Sequence, residues 1–191
     1  IAVVGLLEDW TRHAVSHFPE AGLAVVLLGE NREELGGSEW LKLRHGMEAG
    51  HPPAVDLDAE ARLLQLLPDA VSQGLARSAH DISDGGLAVA LAECCFTGPT
   101  PIGVNVFLAD AIRPDALLFG EATGRVIVAS ADPERLLALA AKHRVPARPI
   151  GETGGESLRI GPPDAPLWID TEVERLRGIH RDAIPRRLTS T

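Results

Sequence analysis

Short apolar runs of strand length, separated by stretches of helical period, most limit what this chain can fold into. Residues 23–28 (Leu-Ala-Val-Val-Leu-Leu) form a continuous apolar run between Gly22 and Gly29. Residues 125–129 give a second strand, and residues 102–108 alternate apolar residues with Gly or Asn, as a half-buried strand does. Two further short strands, 148–152 and 157–160, flank the turn Thr153-Gly154-Gly155, and residues 1–7 read as a buried strand ended by Glu8-Asp9. Between them, residues 58–75 place Leu63, Leu66, Leu67, Ala70, Val71 and Leu75 at helical spacing, with a kink or break expected at Pro68. Residues 132–143 read as a helix capped by Asp132 with Pro133 in its first turn; residues 115–119 and 171–179 read as shorter ones. Strands alternating with helices, some joined by hairpin-like links, predict an α+β chain of α/β/α layered type, with a mixed β-sheet flanked by helices. The 191 residues suffice for one domain with a sizeable core, so residues 1–191 are expected to form a single domain.

Composition excludes several kinds of function. A net charge of −9 is the wrong sign for a protein that coats nucleic acid, and four Phe, three Trp and no Tyr leave no stacking platform for single strands. No run approaches the roughly 20 apolar residues that span a bilayer. Cys94 and Cys95 are sequence neighbours inside a helical run, where an ordinary disulfide does not form, and they read as core residues of a reducing compartment. A cytoplasmic protein with no nucleic-acid or membrane partner is expected. The chain opens on Ile1 with no initiator methionine, which suggests a piece of a longer protein.

Two stretches carry chemistry. In Ala79-His80-Asp81-Ile82-Ser83-Asp84-Gly85-Gly86, acidic, hydroxyl and glycine residues directly precede the apolar helical run Leu87–Glu93. A helix start offers unpaired N–H groups and the positive end of its dipole to an anion, and Gly85 and Gly86 leave the backbone approachable. Ser83, Asp84, Gly85 and Gly86 are therefore candidate phosphate or nucleotide contacts, with Asp81 the candidate metal ligand. Magnesium takes six oxygens, so Asp81 would share it with a nucleotide and with groups outside this chain. The competing reading is a plain helix cap by Asp81, Ser83 or Asp84, and the residues alone leave the two level. Gly36, Gly37 and Ser38 form the second candidate, a backbone cradle for phosphate or a tight turn with Ser38 as cap; the residues favour the turn. His13 and His17, four apart with no acidic third ligand near, read as surface histidines. No nucleophile elbow or Walker-type loop occurs, and no catalytic residue is assigned.

The stretch from Ala79 to Leu87, with Ala90-Leu91-Ala92-Glu93 behind it, closely resembles the signature in the C-terminal half of the phosphoribosylformylglycinamidine synthase family. Val3-Val4-Gly5-Leu6 with Glu8-Asp9, Leu28-Gly29 through Gly37-Ser38-Glu39, and Leu176-Arg177-Gly178 through Ala183-Ile184-Pro185 resemble it in the same order. The resemblance implies the last domain of a synthetase subunit, with a fold like the C-terminal domain of aminoimidazole ribonucleotide synthetase. It implies an ATP-dependent ligase of purine biosynthesis that turns formylglycinamide ribonucleotide and glutamine-derived ammonia into formylglycinamidine ribonucleotide. It further implies ATP or ADP and Mg2+ shared with absent domains, and as partners the preceding domains, a glutaminase subunit and a small accessory subunit. In long forms of the family the aspartate matching Asp81 binds magnesium and the serine matching Ser83 contacts a nucleotide at an auxiliary site. The stretch Gly120-Glu121-Ala122-Thr123-Gly124-Arg125 matches the family's substrate-binding glutamate motif in position but departs from it in sequence. Alternatives are the equivalent domain of a selenophosphate synthetase or thiamine-phosphate kinase relative, or a module that mainly docks subunits.

Overall fold

The computed structural model describes residues 2, 4–7 and 9–189, Thr189 by its backbone only. In chain order the elements are β1 (Ala24–Leu28), α1 (Glu39–His45), α2 (Leu57–Ser72), β2 (Ser78–Asp81), α3 (Gly86–Phe96) and β3 (Val104–Phe107). They continue with α4 (Pro114–Phe119), β4 (Val126–Ser130), α5 (Pro133–His143), β5 (Ala147–Thr153), β6 (Ser157–Gly161), β7 (Ile169–Glu172) and α6 (Val173–Thr189). The strands make one mixed sheet of order β2-β4-β1-β5-β3-β6-β7. Every pairing in it is antiparallel except β3 with β6.

β1 and β4 are apolar but for Ser130 because both faces of the sheet are covered there. Successive side chains of a strand point to opposite faces. Val25 and Leu27 of β1, with Ile127 and Ala129 of β4, enter the core shared with α3 and α4. Val26, Leu28, Val126 and Val128 enter the second core, filled from α2 by Leu63, Leu66 and Ala70 and from α5 by Leu136, Leu139 and Ala140. At β3 and β6 only one face is covered: Val104, Val106, Leu158 and Ile160 are buried, while Phe107 and Arg159 on the other side are exposed. Leu27 and Leu66 have no exposed surface, so truncating either to Ala costs about 2–5 kcal/mol. The expected layered α/β/α arrangement around a mixed sheet is present.

Several boundaries differ from the sequence reading. Among residues 1–7 the described ones, Ala2 and Val4 to Leu7, are in no strand and are exposed, Val4 almost completely; Ile1 and Val3 lie outside the described residues, as does Glu8. A β-branched run becomes a strand only where a sheet edge pairs with it, and the edge strand β2 is met instead by Val15, in a parallel bridge to Ser78. α2 runs through Pro68 without dividing in two. Pro68 and Leu64 are both on the exposed face, so water reaches the carbonyl that the proline leaves without its helical donor. β2 and β7 are strands with little apolar content, held by pairing with β4 and β6. α6 extends well beyond residue 179 and carries Pro185 inside it. Among the described residues no helix is long and apolar enough to cross a membrane.

Candidate functional site

β2 delivers Asp81 to the end of the sheet, where it pairs in register with Val126 of β4. The chain then turns through Ile82 to Gly85 into α3. Ile82 is buried and its N–H donates to the Arg125 carbonyl at 3.0 Å, which fixes the turn against the sheet. The Gly86 N–H donates to the Ser83 carbonyl at 3.0 Å. Gly85 is the residue ahead of the helix, left-handed at φ +82°, and no side chain caps the first turn of α3. Asp81, Ser83 and Asp84 are all exposed, and no described residue forms a hydrogen bond or ion pair with their side chains. The plain cap by one of these three is therefore not what the fold builds.

His80 faces away from this corner. Its Nδ1 lies 2.9 Å from the Ser16 carbonyl and its Nε2 lies 3.1 Å from Oε2 of Glu93 on α3, so the ring staples the segment before β1 to the helix. Cys94 and Cys95 are buried and free, and burial pushes the Cys95 thiol up to about 12. Thiols held in that state are poor nucleophiles.

The Gly36-Gly37-Ser38 turn is spent internally. Ser38 is buried; its hydroxyl donates to the Leu35 carbonyl at 2.7 Å and accepts from the Leu41 N–H at 3.4 Å, which makes it the cap of α1. A side chain at Gly36 would meet the backbone carbonyl oxygen of His51 at 2.0 Å, so glycine is needed there for close backbone approach. Gly37 is left-handed at φ +72° with open space around it, and its N–H donates to the Ala49 carbonyl at 2.9 Å.

One residue ties the two stretches together. Oε1 of Glu121 accepts from the Gly85 N–H at 2.8 Å and from the Glu39 N–H at 2.9 Å, so a single carboxylate oxygen joins the start of α3 to the start of α1. Negative charge at two helix starts is favourable for the reason that makes such starts attract anions. The loop carrying Glu121 is held by Arg125, which is buried and donates Nε to the Ala122 carbonyl at 3.0 Å, NH2 to the Gly120 carbonyl at 2.7 Å and NH1 to Oδ1 of Asn31 at 3.0 Å. Burial lowers the Arg125 pKa to about 10, against the opposing pull of Glu34. Glu121 lies in the stretch that departs from the family's glutamate motif, and the sequence by itself assigns it no role. The signal that could have pointed to it was an acidic residue held in a glycine-flanked turn beside a charged residue that opens an apolar strand.

Gly86 sits where α3 meets the end of α4. A side chain there would meet the Gly120 carbonyl oxygen at 2.7 Å, the Phe119 carbonyl carbon at 2.8 Å and the Leu118 carbonyl oxygen at 2.9 Å. The chain's own backbone thus requires the glycine. Trp40 and Phe119 stack at 4.1 Å beside this junction. Among the described residues no group of three or more His, Cys, Asp or Glu side chains is gathered to hold a metal. The arrangement offers an ion two exposed carboxylates, Asp81 and Asp84, next to a helix start at which Glu121 holds the Gly85 N–H and no side chain caps the first turn.

Comparison with known proteins gives a consistent likeness. Residues 20–160 match the family AIR synthase related protein, C-terminal domain. The chain is 44% identical over 191 residues to the phosphoribosylformylglycinamidine synthase subunit PurL of Thermobifida fusca, covering 97% of this chain and 24% of that protein. It is 48% identical over 164 residues to PurL of a Nocardioides species, covering 84% of this chain and 21% of that protein. The chain spans under a quarter of the length of these two curated relatives. Among solved structures, T. maritima PurL complexed with FGAR superposes with a TM-score of 0.75 at 22% identity, covering 88% of this chain and 30% of that one. E. coli HypE, a hydrogenase maturation protein, superposes with a TM-score of 0.56 at 22% identity, covering 84% of this chain and 52% of that one.

Proposed function

The chain belongs to the AIR synthase related protein family, as its C-terminal domain, and from that premise we propose that it is the C-terminal domain of a phosphoribosylformylglycinamidine synthase synthetase subunit. In this reading the longer subunit uses ATP to join glutamine-derived ammonia to formylglycinamide ribonucleotide, releasing formylglycinamidine ribonucleotide, ADP and phosphate. The observation that carries it is the identity of 44% with a PurL subunit across 97% of the chain. The likeness to HypE is at 22% identity and speaks for the fold alone.

The chain's own part is scaffold and an auxiliary nucleotide corner. T. maritima PurL has been solved with ATP, with ADP and with AMPPCP. The start of α3 would receive phosphate oxygens through its N–H groups and through Ser83, while Asp81 would supply one oxygen to Mg2+. Six-coordinate magnesium needs further oxygens, which nucleotide, water and the rest of the subunit would provide. When bound, the ion would neutralise phosphate charge. Ser38 commits its hydroxyl to capping α1, so the Gly36-Gly37-Ser38 turn would act as a brace rather than as a contact. The glutaminase and small accessory subunits are the proposed partners, in keeping with a solved PurLQS assembly from T. maritima. Two free, buried, adjacent cysteines fit a reducing cytoplasm.

Assaying ATP-dependent amidation of formylglycinamide ribonucleotide with ammonia tests this. The longer subunit is expected to turn over and the 191-residue chain alone to be inactive. Turnover by the chain alone, or none by the longer subunit, would overturn the assignment.

A further inference from the structure

On the opposite side of the sheet from α3 lies a cavity of about 220 Å3 that the proposed function does not use. Its wall comes from the end of β1 (Gly29, Glu30, Arg32), the start of α2 (Asp56, Glu60, Arg62), the turn before β4 (Thr123, Gly124) and the residue that ends α5 (Arg144). The floor is fixed by backbone: the Gly29 N–H donates to the Pro146 carbonyl at 2.8 Å, and a side chain at Gly29 would meet the Gly124 carbonyl oxygen at 2.1 Å.

Arg62 and Arg32 lie close enough to Asp56 to help hold its carboxyl below the ordinary value, yet neither forms an ion pair or hydrogen bond with it. Nε of Arg62 is buried and has no hydrogen-bond partner. No ion pair or hydrogen bond joins the side chain of Arg32, Arg62 or Arg144 to any described residue. Arg148, in the neighbouring cleft, shows the contrast, its NH2 reaching both carboxylate oxygens of Asp110 at 2.6 and 2.7 Å. A buried donor without an acceptor is rare in folded proteins and calls for a partner. Arg144 is also the one non-glycine among the described residues with positive φ, at 57°, a conformation that costs a non-glycine residue stability. Of the three carboxylates, Asp56 is committed, its Oδ1 accepting from the Asp58 and Ala59 N–H groups at 3.0 Å. Glu30 and Glu60 make no hydrogen bond or ion pair with described residues.

We propose that this cavity binds a protonated phosphate, free or as a monoester. Guanidinium groups pair with phosphate oxygens in charge-assisted, forked hydrogen bonds, and here none of the three has its N–H groups in a hydrogen bond with a described residue, the Arg62 Nε being buried besides. Glu30 and Glu60 can only accept, so they favour an oxyanion that still carries a proton. Hydrogen phosphate has that proton; sulfate, of similar shape, does not. The volume is several times the ~30 Å3 share of one water, so a phosphate fits with room for an ester substituent. This inference goes beyond the nucleotide corner and needs no turnover to test.

Inorganic phosphate, sulfate and glycerol 3-phosphate are titrated into the full chain at constant ionic strength and about pH 5.5, below the second ionisation of a phosphate monoester, so that the ester too carries a proton, with binding followed calorimetrically. Phosphate is expected to bind about tenfold more tightly than sulfate, with Glu60→Gln narrowing that gap, since a hydrogen bond to a charged group is at stake. Arg62→Met is expected to weaken phosphate about tenfold or more, and Arg144→Gly severalfold. Arg144→Gly relieves the left-handed residue and so keeps the fold even if Arg62→Met does not. Arg159→Gln, whose arginine pairs with Asp170 on another strand, makes the same charge change without expected effect. Glycerol 3-phosphate binding more tightly than phosphate assigns the cavity to an ester, and weaker binding assigns it to the free ion; either upholds the proposal. No phosphate binding, equal binding of sulfate, or affinity unchanged by both arginine variants overturns it.

Discussion

Two turns of this molecule carry similar sequence, paired glycines beside a serine ahead of a helix. At Gly36-Gly37-Ser38 the hydroxyl is buried and used twice within the fold. At Ser83-Asp84-Gly85-Gly86 the hydroxyl is exposed and unengaged, as are both neighbouring carboxylates, and the helix has no side-chain cap. Glycine therefore does not mark the ligand-ready turn, since close backbone approach demands it at Gly36 and at Gly86 alike. What separates the turns is whether the polar side chains are already committed. Glu121 belongs to both, holding one N–H of each helix start with the same oxygen.

The largest effect is expected where the ligand-ready corner depends on backbone fit. Gly86→Ala meets three backbone atoms of Leu118 to Gly120 below 3.0 Å in a left-handed residue, and should cost about 3 kcal/mol or more in urea unfolding. A loss under about 1 kcal/mol would mean that α3 and α4 pack less closely than described. Glu121→Ala leaves the Gly85 and Glu39 N–H groups without their acceptor and should cost about 2 kcal/mol, lowering the midpoint of thermal unfolding. Ser38→Ala should cost about 1 kcal/mol, the usual worth of a cap, while Ser83→Ala should stay within about 0.5 kcal/mol of the parent. Equal losses for the two serines would erase the distinction between the turns.

The smallest effect concerns acid sensitivity at a cap outside both turns. Hydrogen bonds, first from the Ala59 N–H and then from that of Asp58, hold the exposed Asp56 carboxyl below its ordinary value. A carboxyl lowered on folding adds stability that is present above its unfolded pKa and is lost as pH falls through the folded one, so the loss should run from about pH 4 downward. Asp56→Asn keeps an acceptor oxygen without the titrating charge and should flatten this limb of a stability profile. An unchanged acid limb would show that the cap does not titrate on unfolding.

The parts of the fold legible in the sequence are those whose environment is uniform along the segment. β1 and β4 are buried on both faces, so all their residues but Ser130 are apolar and the run announces itself. Asp132 and Pro133 announce α5 in the same local way. β2, Ser-Ala-His-Asp, and β7, Ile-Asp-Thr-Glu, are edge strands whose existence depends on the neighbour they pair with, and local pattern carries little of that. At the site, Asp81 and Ser83 could be singled out because they sit next to a helix start. Glu121 could not, because its partners lie 36 and 82 residues away in sequence. Arg62 looks like any helix arginine until the approach of β1, α5 and the turn at Gly124 leaves its Nε buried.

The most direct test of the corner is calorimetric titration of Mg2+ with ADP into the longer subunit that contains this domain, comparing wild type with Asp81→Ala. Asp81 is exposed and bonded to no described side chain, so stability should be unchanged. The account predicts that one class of Mg2+-dependent nucleotide sites weakens by about tenfold or disappears, the cost of losing a charged ligand. Identical titrations for the two proteins would contradict it and leave the corner as an ordinary helix start.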